Sequence, residues 1–527
     1  MNQFIAKFSN QIEGVITGFD RLVFHGTLRA IAYELGMKSY LYHSGVLLKE
    51  FGAHVEQTSQ ALKASSLQAA QQAGRPVQFL RSSHSSKEEL ARQIATRDGI
   101  DSGLVCVFTC VEPCWSYEIV SRRATQKLDL KATWRKCLYV YQYWQHPVLG
   151  FLHARIQSWF PFSIQICLNG REWLARQMDR AGLGYVRRDN CFVWMQDYSR
   201  AQKLMDQQLA ANWQPLLAGI GQQLNPAHAQ IFARYPVNYY WTTYQSEWAM
   251  DFVFRPAERL QQLYPKLVRL GISSFSSSDV LRFLGKKPTG EGAAPAQLTA
   301  AVNSSLKRRV EGIRIKHSLG INSVKLYDKA YTGARAVLRA EVTINAAEQF
   351  RVYRRKEGDS SGPRQWLNMR RGIADLHRRA EVSQQALDRY CDALACVDDS
   401  STLEELTLCL ERRVRWNQQW VRALHPFEAA DAALLQAVNA AEFTLHGLRN
   451  RDLQARLYPG PPLSQPEKRR RSAAISRKLR LLRAHGLIQK LAHTHRYQVT
   501  EKGRKILTAL LAARHVTLKQ ITAQAAA

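Results

Sequence analysis

Basic side chains are concentrated near the carboxyl end of the chain, in a pattern that could neutralise phosphate groups. Eight of them fall between positions 468 and 483, namely Lys468, Arg469, Arg470, Arg471, Arg477, Lys478, Arg480 and Arg483. A second basic group, His493, His495 and Arg496, follows at the tip of a predicted hairpin. Because the helix and the hairpin tip are basic together, they predict a DNA interface. In it Lys468, Arg469, Arg470, Arg477 and Lys478 would meet phosphates or base edges.

The residues around this basic group predict a helix followed by a hairpin. Pro466 suits a first helical turn, Glu467 complements the helix dipole, and Gly486 can adopt the left-handed stop. The helix has one apolar stripe, formed by Ile475, Leu479 and Leu482. Residues 487–491 and 496–500 alternate as two strands, and a last helix follows Thr500. Two further helices are predicted upstream, at 432–443 and 450–458.

This order of helix, helix, basic helix, hairpin and helix resembles the winged helix-turn-helix of MarR-like and ArsR-like regulators. The resemblance is carried by residues 482–488 and 496–504. It implies a recognition helix in the major groove and a wing, tipped by His493, His495 and Arg496, against the DNA backbone or minor groove. A protein-docking module or a solvated basic face is the alternative.

Two predicted neighbouring strands in the middle of the chain carry regularly spaced charges. They read Lys325-Leu326-Tyr327-Asp328-Lys329 and Leu338-Arg339-Ala340-Glu341-Val342. Strand alternation places Lys325, Tyr327 and Lys329 on one face of the sheet. The pair resembles a Tyr-Asp-Lys and Leu-Arg-x-Glu signature of the replication initiators of filamentous phages and rolling-circle plasmids. The structural alternative is an ion pair between Glu341 and a lysine or arginine across the strands.

The initiator resemblance implies an enzyme that nicks and rejoins DNA through a tyrosine hydroxyl, assisted by a divalent metal such as Mg²⁺ or Mn²⁺. Tyr240 and Tyr244 have the Tyr-x-x-x-Tyr spacing of such enzymes, which would place both hydroxyls on one face of a helix. The family's His-hydrophobic-His triplet is missing. His153, with Gln157 and Glu341, is the candidate metal set that remains. Alternatively, the two tyrosines pack in the core or stack on bases.

Other acidic residues could serve a metal-dependent nuclease, because paired carboxylates can hold two metal ions. The candidates beside apolar segments are Asp20, Glu118, Glu247 and Asp251. Ordinary salt bridges with the abundant arginines are the alternative. The sequence lacks a phosphate-cradling glycine loop, which argues against nucleotide-driven activity.

Aromatic residues interleaved with basic ones between positions 135 and 160 predict a sheet surface on which unpaired bases could stack. The rings are Tyr139, Tyr141, Tyr143, Trp144, Trp159 and Phe160, and the nearby cations are Arg135, Lys136 and Arg155. This pattern makes RNA binding a third hypothesis, beside DNA binding and DNA nicking.

Composition agrees with a polyanionic partner. The chain has 527 residues, a formal charge of +31 and a pI of about 10.0, a surplus that nucleic acid would neutralise. The sequence has neither an 18-residue apolar run nor a signal-peptide pattern, so we expect a cytoplasmic protein without a membrane partner. The 9 cysteines are odd in number and lie in apolar segments, which predicts reduced thiols that pack in the core.

The length predicts several domains in an α+β protein. Residues 1–285 would form mixed α/β domains, with a possible catalytic or single-strand-binding core. Residues 296–360 would form a basic β-rich segment, 365–425 a helical connector, and 430–515 the winged helix-turn-helix. The leading hypothesis is a sequence-specific or mobile-element-associated DNA-binding protein. The alternatives are the nicking-joining enzyme and the RNA-binding protein.

Overall fold

The computed structural model describes residues 3–516, apart from 123–126, 274, 276, 286–300, 310–311, 357, 360, 397–402, 441–442, 444–446, 459, 492–493 and 515. The strands of the described residues are β1 (Ile12–Thr27), β2 (Val77–Leu80), β3 (Gly103–Arg122), β4 (Lys127–His146), β5 (Gly150–Gln157), β6 (Ile164–Asn169), β7 (Tyr185–Arg188), β8 (Cys191–Met195), β9 (Tyr240–Phe254), β10 (Val302–Arg309), β11 (Gly312–Leu319), β12 (Asn322–Thr332), β13 (Arg335–Ile344), β14 (Arg351–Arg354), β15 (Gln365–Asn368), β16 (Val414–Trp416), β17 (Gln419–Val421), β18 (Ile488–Lys490) and β19 (Tyr497–Val499).

The helices of the same residues are α1 (Gln3–Lys7), α2 (Glu34–His43), α3 (Phe51–Gln72), α4 (Lys87–Arg97), α5 (Gly170–Arg180), α6 (Tyr198–Ala210), α7 (Trp213–Leu224), α8 (His228–Ile231), α9 (Ala257–Ser273), α10 (Ser277–Phe283), α11 (Leu376–Leu394), α12 (Leu403–Thr407), α13 (Ala429–Val438), α14 (Asn450–Leu457), α15 (Gln465–Ala484) and α16 (Glu501–Ala513). The predicted α+β class is therefore confirmed. None of the described helices combines the length and the apolar character needed to cross a membrane.

Eleven strands form one sheet in the order β10-β11-β12-β13-β9-β1-β6-β5-β4-β3-β2. All neighbours are antiparallel except β2 and β3. Strand β1 lies between β6 and β9 and is buried along most of its length. A strand covered on both faces reads as a nearly continuous apolar run, as in Phe19 and Leu22 to Phe24.

Strands β10 to β13 join the same sheet as β1 and β9, through the pairing of β13 with β9. The β-rich segment predicted at 296–360 is therefore not a sheet of its own. Strands β10 to β13 extend the sheet that residues 1–285 begin, whereas β14 forms a separate two-stranded sheet with β15.

The described residues contain two large hydrophobic cores, beside two smaller clusters. The first lies between the large sheet and its helices, and it includes α11 through residues such as Leu387 and Tyr390. The second is built from residues between Leu410 and Leu510. The helical connector expected at 365–425 is thus divided between the two cores. It also contains the hairpin β16–β17, which the sequence analysis did not predict.

Cys106, Cys110 and Cys114 lie on one face of β3, and all three are buried. They pack in a small cluster with Ala91 and Ala95 of α4. The prediction of reduced, core-packed thiols is confirmed for this set, and the nine cysteines are free thiols.

Candidate nucleic-acid interface and carboxylate cluster

Helix α15 turns an apolar stripe inward and a basic face outward. Ser464 caps it by accepting a hydrogen bond from the Glu467 backbone N–H, and Gly486 follows it at φ +72°. Ile475, Leu479 and Leu482 are buried in the second core, as predicted. These local signals fix the orientation of the helix, because a stripe at i, i+4 and i+7 can face only one side.

The predicted DNA-binding residues of α15 stand on the outward side. Lys468, Arg469, Arg470 and Arg477 are exposed, and Lys478 is half-buried. Within the part of the chain that the structure describes, none of these five side chains makes a hydrogen bond or an ion pair. Arg470 and Lys478 act only at longer range, on the carboxylates of Glu467 and Asp431.

The other three basic residues of α15 serve the protein itself. Arg471 pairs with Glu467 at 2.6 Å. Arg480 donates a hydrogen bond to Gln419, and the Arg483 guanidinium lies 4.9 Å from the ring centroid of Trp416. Sequence reasoning could not separate Arg480 and Arg483 from the exposed cations, because their partners lie in the hairpin β16–β17, which was not predicted.

Hairpin β18–β19 follows α15 and is closed by the hydrogen bond from the Leu491 backbone N–H to the Arg496 carbonyl. At its tip His495 is exposed and Arg496 is half-buried, while His493 lies outside the described residues. Leu448, between α13 and α14, pairs with Tyr497 through two backbone hydrogen bonds of 2.8 and 2.9 Å. The hairpin thus gains a third, one-residue strand that sequence reasoning missed.

Three carboxylates converge at the centre of the large sheet. Asp20 on β1, Glu247 on β9 and Glu341 on β13 each offer an oxygen, and these oxygens lie within 4.8 Å of one another. Asp20 occupies a β-bulge, since β9 pairs with Phe19 and Arg21 but skips it. A bulge redirects the side chain of its extra residue, which here points Asp20 at its two neighbours. All three residues were candidates from the sequence, but their convergence in one cluster was not predicted.

Cations already compensate this cluster. The Lys325 ammonium lies 2.5 Å from Glu341 and 3.2 Å from Glu247, and Lys325 and Glu341 are direct cross-strand partners. The ion pair anticipated for Glu341 is therefore confirmed. Tyr327 donates a further hydrogen bond of 2.6 Å to Glu341. Asn190 donates to both oxygens of Asp20 at 3.0 Å.

The pKa values of Glu247 and Glu341 are shifted in opposite directions. Burial raises the pKa of Glu247, and repulsion from Glu341 raises it further against the attraction of Lys325. For Glu341 burial also acts upward, but Lys325 and the hydrogen bond from Tyr327 outweigh it and lower the pKa. Glu247 is therefore the carboxyl of this pair that takes up a proton more readily.

A second, fully buried ion network supports the cluster from one side. Asp251, Arg171 and Arg339 each have a side chain 0% exposed. Arg339 contacts Asp251 at 2.5 Å and Asp20 at 3.0 Å, and Arg171 contacts Asp251 at 2.9 Å. Two arginines thus balance two aspartates inside the protein, so Asp251 has a structural role here.

Tyr240 and Tyr244 lie on strand β9, not on the helix that their spacing suggested. Both side chains are exposed. Tyr244 occupies a β-bulge, since the pairing of β9 with β1 skips it, so regular strand alternation does not relate the two tyrosines. The Arg29 guanidinium stacks 3.1 Å from the ring centroid of Tyr240, and the ring of Tyr244 lies 6.2 Å from that of His25. Tyr244 is closer than Tyr240 to Glu247, from which it is separated by about 10 Å along the strand.

His153 and Glu341 are not brought together. His153 is on β5, and β6, β1 and β9 separate it from β13. Four strand spacings amount to roughly 19 Å, too far for one metal ion. Burial, with the nearby Arg21 and Arg155, lowers the pKa of His153 to about 3. Gln157 is also occupied, because its amide donates to the Trp115 and Phe160 carbonyls.

The aromatic residues proposed as a base-stacking surface mostly lie inside the protein. Tyr139, Tyr141, Tyr143, Trp144 and Phe160 are buried, and Trp159 is partly covered by Arg135. The exposed rings of this region are instead Trp115 and Trp134, which contact each other edge to face at 5.7 Å. Strand alternation identified a common face correctly but could not show that helix α4 covers it.

Comparison of the chain with protein-family models, with curated proteins and with solved structures finds no match.

Proposed function

We propose that this protein binds duplex DNA through its C-terminal region, with α15 in the major groove and hairpin β18–β19 beside it. The observation that carries the proposal is the row of unpaired cations on the outward face of α15. Binding there is favoured because these exposed cations can reach phosphates and each contacted phosphate releases a counterion.

The order of elements from α13 to α16 supports the same proposal. Helix, one-residue strand, helix, helix and hairpin resemble the arrangement of a winged helix-turn-helix, with Leu448 in the place of its first strand. In such modules the third helix enters the groove, and α15 is the third helix here. His495 and Arg496 at the hairpin tip would then lie against the backbone or the minor groove.

The test is the salt dependence of binding to a fluorescein-labelled duplex of random sequence, read by anisotropy. In the variant Arg469→Ala/Arg470→Ala/Arg477→Ala, three lost phosphate contacts should lower the slope of log K against log salt by about 2.7. A matched control removes three exposed charges from the sheet region, Arg81→Ala/Lys131→Ala/Arg259→Ala. An α15 variant that keeps the wild-type affinity and slope would contradict the proposal.

DNA nicking is a second candidate, and the convergence of Asp20, Glu247 and Glu341 favours it. Carboxylate oxygens are ligands that Mg²⁺ and Mn²⁺ accept, so these residues would hold such an ion in competition with the Lys325 ammonium. The ion would supply Lewis-acid activation of a phosphate. Tyr244, exposed on the strand that carries Glu247, is the nearer of the two candidate nucleophiles, and Tyr240 is the other.

Incubation of the protein with labelled single-stranded DNA and Mn²⁺ tests this second candidate. A nicking enzyme should form a covalent protein–DNA adduct that is lost in Tyr240→Phe/Tyr244→Phe and in Glu247→Gln. Absence of an adduct from the wild-type protein would exclude the tyrosine mechanism, whereas binding of duplex DNA by α15 would be unaffected.

A further inference from the structure

The hairpin β16–β17 has an inner and an outer face of opposite character. Val414 faces Val421 and Trp416 faces Gln419 on the inner side, where Val421 is buried in the second core. The tight turn uses Asn417 and Gln418, both at positive φ. This turn geometry matches the twist of a two-residue hairpin. The register of the two strands is therefore fixed although each strand is short.

The inner face fixes the hairpin directly to α15. The ring of Trp416 lies beneath two guanidinium groups of that helix, with centroid distances of 5.9 Å to Arg480 and 4.9 Å to Arg483. Arg483 also lies 5.9 Å from the ring of Tyr497 on β19. A single side chain of α15 therefore touches both hairpins, and the three elements form one continuous surface.

The outer face is cationic and aromatic. Arg415 and Trp420 are direct cross-strand partners, both exposed, and Trp420 is 70% exposed. Arg412 and Arg413 precede the hairpin and are also exposed. Among the described residues, none of these three arginines has an ion-pair or hydrogen-bond partner. A large ring held in water beside three unpaired cations matches the needs of a nucleic-acid contact.

We propose that hairpin β16–β17 is a second DNA-contacting element, adjoining α15 and β18–β19. The inference rests on the proposed function and extends its footprint. Arg412, Arg413 and Arg415 neutralise phosphates, and Trp420 packs against deoxyriboses and base edges. Duplex DNA is the occupant favoured by the charge complementarity and by continuity with the exposed cations of α15.

The test uses the full-length chain and the same labelled duplex. The variant Arg412→Ala/Arg413→Ala/Arg415→Ala should lower the salt slope by up to about 2.7, since each arginine meets at most one phosphate. Trp420→Ala should weaken binding while leaving the salt slope unchanged, because a ring releases no counterion. Trp134→Ala is the matched control, since Trp134 is 69% exposed but lies on β4 of the large sheet.

The outcomes separate this inference from the proposed function. If the α15 triple variant loses binding while both hairpin variants bind as wild type, the hairpin is not a DNA contact and only this inference fails. If neither set of substitutions changes duplex binding, both fail. Stronger competition by RNA or single-stranded DNA than by duplex would also overturn the inference. Circular dichroism of each variant should match the wild type, because the substituted side chains are exposed.

Discussion

Substitution of Arg339 tests whether the two buried arginines, Arg171 and Arg339, compensate the charges of Asp20 and Asp251. Arg339→Met keeps the volume of the side chain but leaves Asp20 and Asp251 with Arg171 as their only arginine. Both aspartates lie in the interior, so one negative charge is left without compensation. Removal of one partner of a buried ion pair costs about 3–5 kcal/mol. Because m-values grow with protein size and should here be about 3 kcal/mol per M or more, the urea midpoint should fall by up to about 1.7 M.

The loss of stability caused by Arg339→Met should depend on pH. In the wild type, burial acts to raise the pKa of Asp251, but Arg171 and Arg339 outweigh it and the pKa is lowered. This carboxylate therefore contributes stability above its unfolded pKa of about 3.9, and the contribution is lost as pH falls through the lower folded value. When Arg339 is removed, the effect of burial becomes the larger one, and the pKa of Asp251 in the folded protein rises. The penalty should then be largest near neutral pH and shrink towards about pH 5.

Urea unfolding followed by tryptophan fluorescence at the two pH values measures this dependence. Arg335→Met is the matched control on the same strand, because its ion pair with Glu13 is partly exposed and should contribute at most about 1 kcal/mol. Asp251→Asn added to Arg339→Met should recover about 1–3 kcal/mol of the loss. If Arg339→Met lowers the free energy of unfolding by less than about 1 kcal/mol, or by the same amount at both pH values, Arg339 does not compensate the buried aspartates.

Three further predictions follow from local geometry. Gly170→Ala should abolish folding or lower the thermal midpoint sharply, because a Cβ there would lie 1.6 Å from the Phe19 carbonyl oxygen. The control is Gly219→Ala, whose Cβ would meet nothing within 4 Å. It should raise the midpoint, because alanine stabilises a helix by up to about 1 kcal/mol relative to glycine. His153, with its pKa lowered to about 3 by burial, should show no imidazole titration by NMR between about pH 5 and pH 8; a midpoint in that window would contradict its burial. Thr500→Ala should destabilise the second core by about 1 kcal/mol in urea unfolding, because its hydroxyl caps α16 by accepting from the Gly503 N–H at 2.9 Å; an unchanged midpoint would show that the cap contributes nothing.

Local signals predicted the C-terminal elements well. The helix predicted from Pro466 to His485 agrees with α15 within one residue at each end, because capping and helix stops depend on neighbours in sequence. The hairpin β16–β17 escaped prediction since its strands are three residues long and its turn, Asn417-Gln418, contains no glycine. The bridge at Leu448 is a single residue and has no periodicity to detect.

The carboxylate cluster shows the limit of sequence reasoning more clearly. Asp20 and Glu247 were recognised as acids beside apolar segments, and Glu341 as a candidate metal ligand with His153 and Gln157. Their convergence depends on β1 lying next to β9 and on β9 lying next to β13, pairings between distant parts of the chain. Nothing in the spacing of single residues encodes that order. The element of Tyr240 and Tyr244 was similarly ambiguous, because an interval of four suits one face of a helix and of a strand alike.

The central position of β1 constrains how the protein is made. This strand is synthesised more than 200 residues before its partner β9, which spans residues 240–254. At about 5–20 residues per second, the ribosome needs on the order of 10–40 s to produce that partner. During this interval an apolar strand has one edge unpaired, so chaperone capture of the nascent chain would favour correct assembly over aggregation.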